Sequence, residues 1–161
     1  MSTTERQSDL LAALVQAEVE FIVVGGMAAV LHGAPITTHD LDIVHRRSSE
    51  NVKKLLDLLR SINAGQRGDP RHLPPTAAAL SGCGHLTLRT ELGQLDVLCD
   101  LGPGEGYDEL IDRTVGFSDG DSEFRVLSLE ALIEIKKRTD RAKDRLMLAE
   151  LIATLGEKNK S

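Results

Sequence analysis

The feature that most constrains the fold is a pair of acids inside an otherwise apolar run, "HDLDIV" at residues 39–44. On a β-strand, residues i and i+2 point to the same side, so Leu41 and Ile43 can enter a core while Asp40 and Asp42 project together from the other face. Neighbouring carboxylates repel each other, and the usual remedies are a shared proton, a basic partner or a divalent cation. The run therefore predicts a strand that carries a charged site.

A second apolar strand and a glycine pair precede the two acids. Residues 20–24, "EFIVV", predict a buried strand, and Gly25 and Gly26 mark its end before a short helix, "MAAVLH". The glycines fit neither GxGxxG nor GxxxxGK[ST], which argues against the dinucleotide and P-loop mechanisms. Because glycine has no Cβ, backbone N–H groups here can approach phosphate oxygens. We therefore expect Gly25 and Gly26 to contact a phosphate.

A further acid lies in a later strand. The runs "HLTLRT" and "GQLDVLCDL" flank residues 91–93 and predict a hairpin whose second strand holds Asp96 between Leu95 and Val97. Asp100 shares the strand parity of Asp96 but lies at the strand end, so Asp96 is the preferred third acid and Asp100 the alternative. Three carboxylates that converge from adjacent strands favour divalent cations at their centre, and Mg²⁺ binds carboxylates together with substrate phosphates.

The remaining patterns predict helices around this strand core. Apolar residues recur at helical spacing over residues 6–17, 48–61, 128–136 and 140–155. The segment "GQRGDPRHLPP" predicts an exposed loop, and weaker patterns indicate a helix near residues 107–113 and a strand near 123–126. At 161 residues the chain predicts a single domain over 1–161, with a core over about 6–127 and C-terminal helices over about 128–155.

Composition restricts the classes of partner. A net charge of −6 and an aromatic content of 2% argue against nonspecific nucleic-acid binding and against a base-stacking platform. The two cysteines lack a CxxC spacing and are interpreted as reduced thiols, and the five histidines, without HxxxH or HExxH spacing, as surface or loop residues. No apolar run is long enough to span a bilayer and no export signal is visible, so we expect a cytoplasmic protein.

Together these residues resemble the nucleotidyltransferase superfamily, the polymerase-β-like fold. Its pattern is an apolar residue, Gly-Gly or Gly-Ser, a spacer and an acid-x-acid pair, which Gly25, Gly26, Asp40 and Asp42 match, and Asp96 is similar to the family's third acid. The segment "LEALIEIKKRTDRAKD" is similar to the Glu and Lys helix of minimal, abortive-infection-type nucleotidyltransferase toxins. The resemblance implies an α/β (α+β) fold, a mixed β-sheet flanked by helices, with C-terminal helices.

The resemblance also implies an activity, the Mg²⁺-dependent transfer of an NMP from an NTP such as ATP to a hydroxyl. Asp40, Asp42 and Asp96 are then the catalytic and metal-binding residues of a two-metal site, with Asp96 activating the acceptor. Thr38 matches a family Thr two residues before the first acid, and joins the nucleotide-binding residues. Ile36 stands where many members carry an Arg, so an arginine role in triphosphate binding does not transfer to that position.

Several acceptors and two other function classes stay open at this stage. The acceptor is RNA, tRNA, a protein or a small aminoglycoside-like molecule, in a toxin-antitoxin or abortive-infection context, and a protein partner or homo-oligomer is compatible with the sequence. The alternative is a non-catalytic nucleotidyltransferase-like antitoxin or regulatory module that binds a protein. A DxD glycosyltransferase is disfavoured because the chain is short for a sugar-nucleotide domain.

Lys136 interrupts the apolar stripe formed by Leu129, Leu132 and Ile133. With Glu130, it matches the Glu and Lys motif of the resemblance. A lysine whose stem is buried requires a partner for its ammonium group. Two partners are consistent with the sequence: the phosphates of a bound nucleotide, or Asp144 across a helix junction.

Overall fold

The computed structural model describes residues 5–138 and 142–160, with side chains from residue 6 to 138 and from 145 to 160. Its centre is a seven-stranded mixed sheet in the order β3-β4-β5-β2-β1-β7-β6. The strands are β1 (Phe21–Val24), β2 (Asp40–His45), β3 (Gly65–Gln66), β4 (Leu86–Thr90), β5 (Gly93–Leu98), β6 (Thr114–Asp119) and β7 (Ser122–Leu127). The predicted mixed sheet flanked by helices is confirmed.

Seven α-helices accompany the sheet in the described residues. They are α1 (Glu5–Gln16), α2 (Gly25–Leu31), α3 (Ser49–Ser61), α4 (Ala77–Ser81), α5 (Tyr107–Leu110), α6 (Leu129–Lys136) and α7 (Ala142–Asn159), and a 3₁₀ turn follows α5 at Ile111–Arg113. Serine side chains cap two of these helices: Ser48 accepts a hydrogen bond from the N–H of Asn51, and Ser128 accepts one from the N–H of Ala131.

The two strands predicted to carry acids lie side by side near the middle of the sheet. β2 runs antiparallel to β1 and parallel to β5. Leu41, Ile43 and Leu95 have 0% exposure and pack in the core, whereas Asp40 and Asp42 are only partly buried on the other side of the strand. The period-two alternation therefore places the acids where the sequence predicted.

The segment predicted as an exposed loop, residues 65–75, is only partly a loop. Gly65 and Gln66 form the short edge strand β3, which pairs with β4, and the N–H of Arg67 donates to the carbonyl of Thr87 at 2.9 Å. Two other elements, α4 and β6, were not predicted. The short edge strand and α4 lack the long apolar periodicity on which such predictions depend.

Two predictions about individual side chains are wrong. The apolar spacing over residues 140–155 predicts one buried stripe that includes Leu151 and Ile152, but Ile152 is 49% exposed, whereas Leu151 is buried. His32 and His45 are buried and not on the surface, because each ring has a hydrogen bond to a backbone carbonyl, of Leu127 at 2.9 Å and of Leu80 at 2.7 Å. Burial lowers the pKa of both histidines.

Candidate active site

Strand register brings the three predicted acids together. Asp42 lies directly opposite Asp96 across the β2–β5 ladder, and Asp40 precedes Asp42 by two residues on the same face. On the other side of β2, Asp42 is the register partner of Val24, the last residue before the glycine pair. Carboxylates from two neighbouring strands and the start of α2 thus meet at one place. Asp100, the alternative third acid, lies four residues farther along and its backbone bridges Gly106.

The glycine pair is required by this packing. Gly25 has a φ of 66°, a left-handed conformation, and a Cβ at this position would collide with Oδ2 of Asp42. A Cβ at Gly26 would lie 3.0 Å from Oγ1 of Thr38. Thr38 in turn donates its hydroxyl hydrogen to the carbonyl of Asp40 at 3.3 Å. The structure thus brings Gly25, Gly26 and Thr38 against the acids.

Asp42 has a strongly perturbed acidity. Burial, followed by the negative charge of Asp96, a hydrogen bond between these two carboxyl groups and the charge of Asp40, raises the pKa of Asp42 to about 7. Its Oδ1 is buried without a hydrogen-bond donor among the described residues. Burial of a carboxylate oxygen without a donor costs desolvation free energy, unless a cation or a proton binds that oxygen.

Arg67 is the site residue that sequence reasoning missed. Its guanidinium lies 2.7 Å from Oδ1 of Asp96 and 3.5 Å from Oδ2 of Asp40, and it donates to the carbonyl of Leu88 at 3.0 Å. Only 22% of the side chain is exposed, and Nε is buried without a hydrogen-bond partner among the residues that the structure describes. β3 delivers Arg67 to the acids through its pairing with β4. The Gly and Pro content of the segment concealed this arrangement.

Lys136 lies at the end of α6 and is half-buried. Its positive charge lowers the pKa of Asp42, which places the ammonium group within electrostatic range of the acids. The alternative partner, the side chain of Asp144, lies outside the described residues. The structure therefore brings Lys136 toward the site formed by the three acids.

The perturbed pKa of Asp42 leads to a pH prediction for the protein without metal. A carboxyl group with a pKa of about 7 in the folded state and an ordinary value near 3.8 when unfolded binds more protons in the folded state between these values. Its stabilising effect is complete below pH ~4 and is lost as the pH rises through about 7, with a slope of at most about 1.4 kcal/mol per pH unit. The two buried histidines, whose pKa values are lowered, act in the opposite direction, so the Asp42 effect is the difference between the wild type and a variant that lacks this carboxyl group. In a metal chelator, we expect the unfolding free energy of the wild type to change from pH 5 to pH 8 less favourably than that of Asp42→Asn.

An Asp42→Asn variant is the control for that measurement, because it removes the titrating group. Its unfolding free energy should lack the decrease that this carboxyl group causes over the same interval. An equal pH dependence in the wild type and in Asp42→Asn would contradict the assignment of the effect to this carboxyl group.

Comparisons with known proteins bear on this arrangement. The family of aminoglycoside-2''-adenylyltransferases matches residues 8–74, fewer than half of the chain, a span that contains the glycine pair, both acids of β2 and Arg67. A lincosamide antibiotic adenylyltransferase, LnuA, in a lincomycin-bound structure superposes with a TM-score of 0.63 at 16% identity, covering 96% of this chain and 99% of that chain. The chain has the nucleotidyltransferase fold. The comparison with curated proteins found no match.

Two further structures share the fold. A putative nucleotidyltransferase from Thermotoga maritima has a TM-score of 0.55 at 16% identity and covers 93% of this chain and 89% of its own. A nucleotidyltransferase-like antigenic protein from Paracoccidioides brasiliensis has a TM-score of 0.52 at 18% identity, covering 92% of this chain and 73% of its own. The fold and the partial family match support the predicted nucleotidyltransferase superfamily and an enzyme of this class. No described helix has the length and apolarity needed to cross a bilayer.

Proposed function

We propose that this protein is a Mg²⁺-dependent nucleotidyltransferase that transfers an NMP from an NTP to a hydroxyl group. The observation that carries the proposal is the convergence of Asp40, Asp42 and Asp96 beside the glycine pair, in register across β2 and β5. The partial match to an adenylyltransferase family supports ATP as the first nucleotide to examine. The abortive-infection context stays a prediction.

The residues at this site fit a divalent cation. Three carboxylates supply the oxygen ligands that Mg²⁺ prefers, and Oδ1 of Asp42 is a buried acceptor without a donor in the described part of the chain. Asp40, Asp42 and Asp96 are the proposed metal ligands of a two-metal site. Bound Mg²⁺ ions supply charge stabilisation of the phosphates and a lower pKa of the attacking hydroxyl.

The chain's own residues then have distinct roles. We assign the backbone N–H groups of Gly25 and Gly26 to the β- and γ-phosphates, because a side chain at either position would occupy the space beside Asp42 or Thr38. Asp96 accepts the proton of the acceptor hydroxyl, whose oxygen forms a bond to the α-phosphorus while the bond to the β-phosphate breaks and pyrophosphate leaves. Thr38 positions Asp40 through its hydrogen bond to the backbone.

Arg67 supplies a cation that the resemblance placed elsewhere. In the absence of metal, its guanidinium neutralises Asp40 and Asp96, and metal ions would compete for the same carboxylate oxygens. A planar guanidinium that no longer pairs with the two carboxylates can donate paired hydrogen bonds to phosphate oxygens. We assign Arg67 to the triphosphate, in place of the arginine absent at Ile36.

Replacing Arg67 with methionine should have opposite effects on two ligands. The loss of a hydrogen bond to a charged phosphate, worth about 1.5–3 kcal/mol, should weaken NTP binding roughly 10-fold to 150-fold. Mg²⁺ alone should bind more tightly, because no guanidinium competes for the carboxylates. Calorimetric titrations with Mg²⁺ and with Mg-ATP measure both effects.

Arg71→Met is the matched control, because Arg71 lies in the same segment, is 73% exposed and pairs with Asp69. It should change neither titration. Unchanged NTP affinity in Arg67→Met would refute the phosphate role of Arg67.

Replacing Lys136 with methionine tests the assignment of Lys136 to the phosphates. The apolar stem is preserved, so the melting temperature should hold while NTP affinity falls by about 1.5–3 kcal/mol. Lys137→Met, an exposed neighbour on the same chain segment, is the control. A lowered melting temperature with unchanged NTP affinity would instead favour a helix-packing role, such as the pairing with Asp144.

The acceptor that the comparisons favour is a small molecule with hydroxyl groups. The partial family match and the lincomycin-bound neighbour concern antibiotic adenylyltransferases. A cavity of about 380 Å³ has the size of a small-molecule site. Its lining includes His39, which directly precedes Asp40, and Gln94, the register partner of Asp40. RNA, tRNA and protein hydroxyls stay as competing predictions.

Transfer of label from [α-³²P]ATP tests the proposed reaction. Aminoglycosides, lincomycin, total tRNA and a protein extract serve as parallel acceptors, each with Mg²⁺ or with a chelator. Label on a small molecule only in the presence of Mg²⁺ is the expected result. Label on tRNA or protein would support the transfer reaction and overturn the small-molecule acceptor.

One observation favours a second function, the non-catalytic protein-binding module. The ion pairs of Arg67 neutralise two of the acids without a metal. A site that has lost its catalytic activity and binds no metal requires such a neutralisation. Purification from the native cell separates the two functions. A stoichiometric partner that binds the wild type and Asp40→Ala equally, together with no metal-dependent NTP binding, would support the module.

A further inference from the structure

A second cluster of metal-ligating side chains lies outside the proposed active site. His85, Cys99 and Asp100 each offer one ligand atom, and these atoms all lie within 4.8 Å of one another. His85 directly precedes β4, whereas Cys99 and Asp100 directly follow β5. The antiparallel hairpin, whose register pairs Leu86 with Val97, brings the two chain segments together.

This cluster is spatially separate from the three acids. Asp100 follows Asp96 by four residues, which corresponds to roughly 13 Å along an extended strand. The acids contact Arg67 and the start of α2, whereas the backbone of Asp100 bridges Gly106 in the turn after β5. The cluster is therefore not part of the proposed active site.

The donor set of the cluster selects among metals. Mg²⁺ and Ca²⁺ take oxygen ligands, whereas an imidazole nitrogen, a thiolate sulfur and a carboxylate oxygen together suit zinc. Cys99 is 1% exposed, whereas His85 is exposed, so the cluster is buried on one side and open to solvent on the other. Three protein ligands plus a water molecule is the zinc coordination found in catalytic sites, and in this cluster it would leave the fourth position open to solvent.

One cation, Arg47, lies at the rim of the cluster. Arg47 donates from Nη1 to Sγ of Cys83 at 3.3 Å and to the carbonyl of Gly82 at 3.2 Å, which places a cation and the second thiol near the same hairpin end. Zn²⁺ bound to one thiolate and one carboxylate has a formal charge of zero. The nearby guanidinium of Arg47 therefore does not repel the occupied site. Both cysteines of the chain are therefore at this hairpin end, although 16 positions apart in the sequence.

We propose that His85, Cys99 and Asp100 bind one zinc ion, with water as the fourth ligand. The ion would join the residue before β4 to the residues after β5, the strand that carries Asp96. It therefore stabilises the hairpin and does not take part in nucleotidyl transfer. The proposal is independent of the transfer activity.

Cobalt substitution in the full-length protein tests this site. A thiolate bound to Co²⁺ produces a sulfur-to-cobalt charge-transfer absorption, which oxygen ligands at the three acids do not produce. The titration uses a Cys83→Ser background, so that the absorption reports Cys99 alone. We expect one equivalent of Co²⁺ to produce the band, one equivalent of Zn²⁺ to remove it, and Zn²⁺ to raise the melting temperature.

Variants at exposed and partly exposed ligands keep the test independent of folding. His85→Gln and Asp100→Asn should each weaken Co²⁺ binding at least tenfold, whereas His39→Gln, another exposed histidine, should leave the band unchanged. Absence of the band in Cys83→Ser would overturn the assignment of Cys99. Equal Co²⁺ affinity in the background protein and in His85→Gln would overturn the three-ligand site.

Discussion

Replacing Gly25 with alanine should lower the free energy of unfolding and abolish the metal-dependent transfer activity. The left-handed φ of 66° costs a residue with a Cβ about 1–2 kcal/mol, and the collision of that Cβ with the Asp42 carboxylate adds a cost of about 1–3 kcal/mol. The carboxylate of Asp42 is then displaced from the place where it converges with those of Asp40 and Asp96, so the three can no longer bind a metal together. We expect urea denaturation to show a loss of about 2–5 kcal/mol and transfer activity to fall below detection.

Gly120→Ala separates the two causes of this loss. Gly120 lies in the turn between β6 and β7 with a φ of 63°, nearly that of Gly25, but a Cβ there has no neighbour within 4 Å. Its variant should therefore lose only the conformational part, about 1–2 kcal/mol, and keep its activity. Equal losses in the two variants would show that the contact with Asp42 is unimportant.

Replacing Asp42 with asparagine should abolish transfer while the fold remains intact. The substitution keeps the side-chain size but removes the charge that holds the metal, an effect worth several kcal/mol in the transition state. We expect kcat/KM to fall by about 10³-fold or more, which corresponds to about 4 kcal/mol. Without metal, stability at pH 8 should rise, because the substitution removes a buried carboxylate that opposes two others.

Asp57→Asn is the control for this loss of activity. Asp57 is an exposed carboxylate on α3 whose ion pair with Lys53 joins successive turns of that helix. Its replacement changes the net charge by the same amount and should leave transfer unchanged. Full transfer activity in Asp42→Asn would exclude Asp42 as a metal ligand.

The strand pattern predicted the acids because it depends on local geometry. The alternation of Asp40, Leu41, Asp42 and Ile43 fixes which side chains share a face, whatever strand lies beside them. Asp96, the preferred third acid, lies opposite Asp42 in the parallel β2–β5 register. The backbone therefore brings together residues that match the family pattern, namely Gly25, Gly26, Asp40, Asp42 and Asp96.

Arg67 and the buried histidines were not predictable in the same way. Arg67 contacts acids that are 27 and 29 positions away, through an edge strand of two residues that has no periodicity. The rings of His32 and His45 are buried and donate hydrogen bonds to backbone carbonyls that are distant in the sequence, which no spacing in the sequence reveals. Contacts of this kind depend on tertiary pairing and on single hydrogen bonds.

Calorimetric titration of the wild-type protein with each of the four NTPs, with Mg²⁺ and with a chelator, tests the central claim most directly. The proposed site predicts that at least one NTP binds with Mg²⁺, and that binding is lost in the chelator and in Asp42→Asn. The absence of Mg²⁺-dependent binding by all four NTPs would contradict the claim that these carboxylates form a nucleotidyltransferase site.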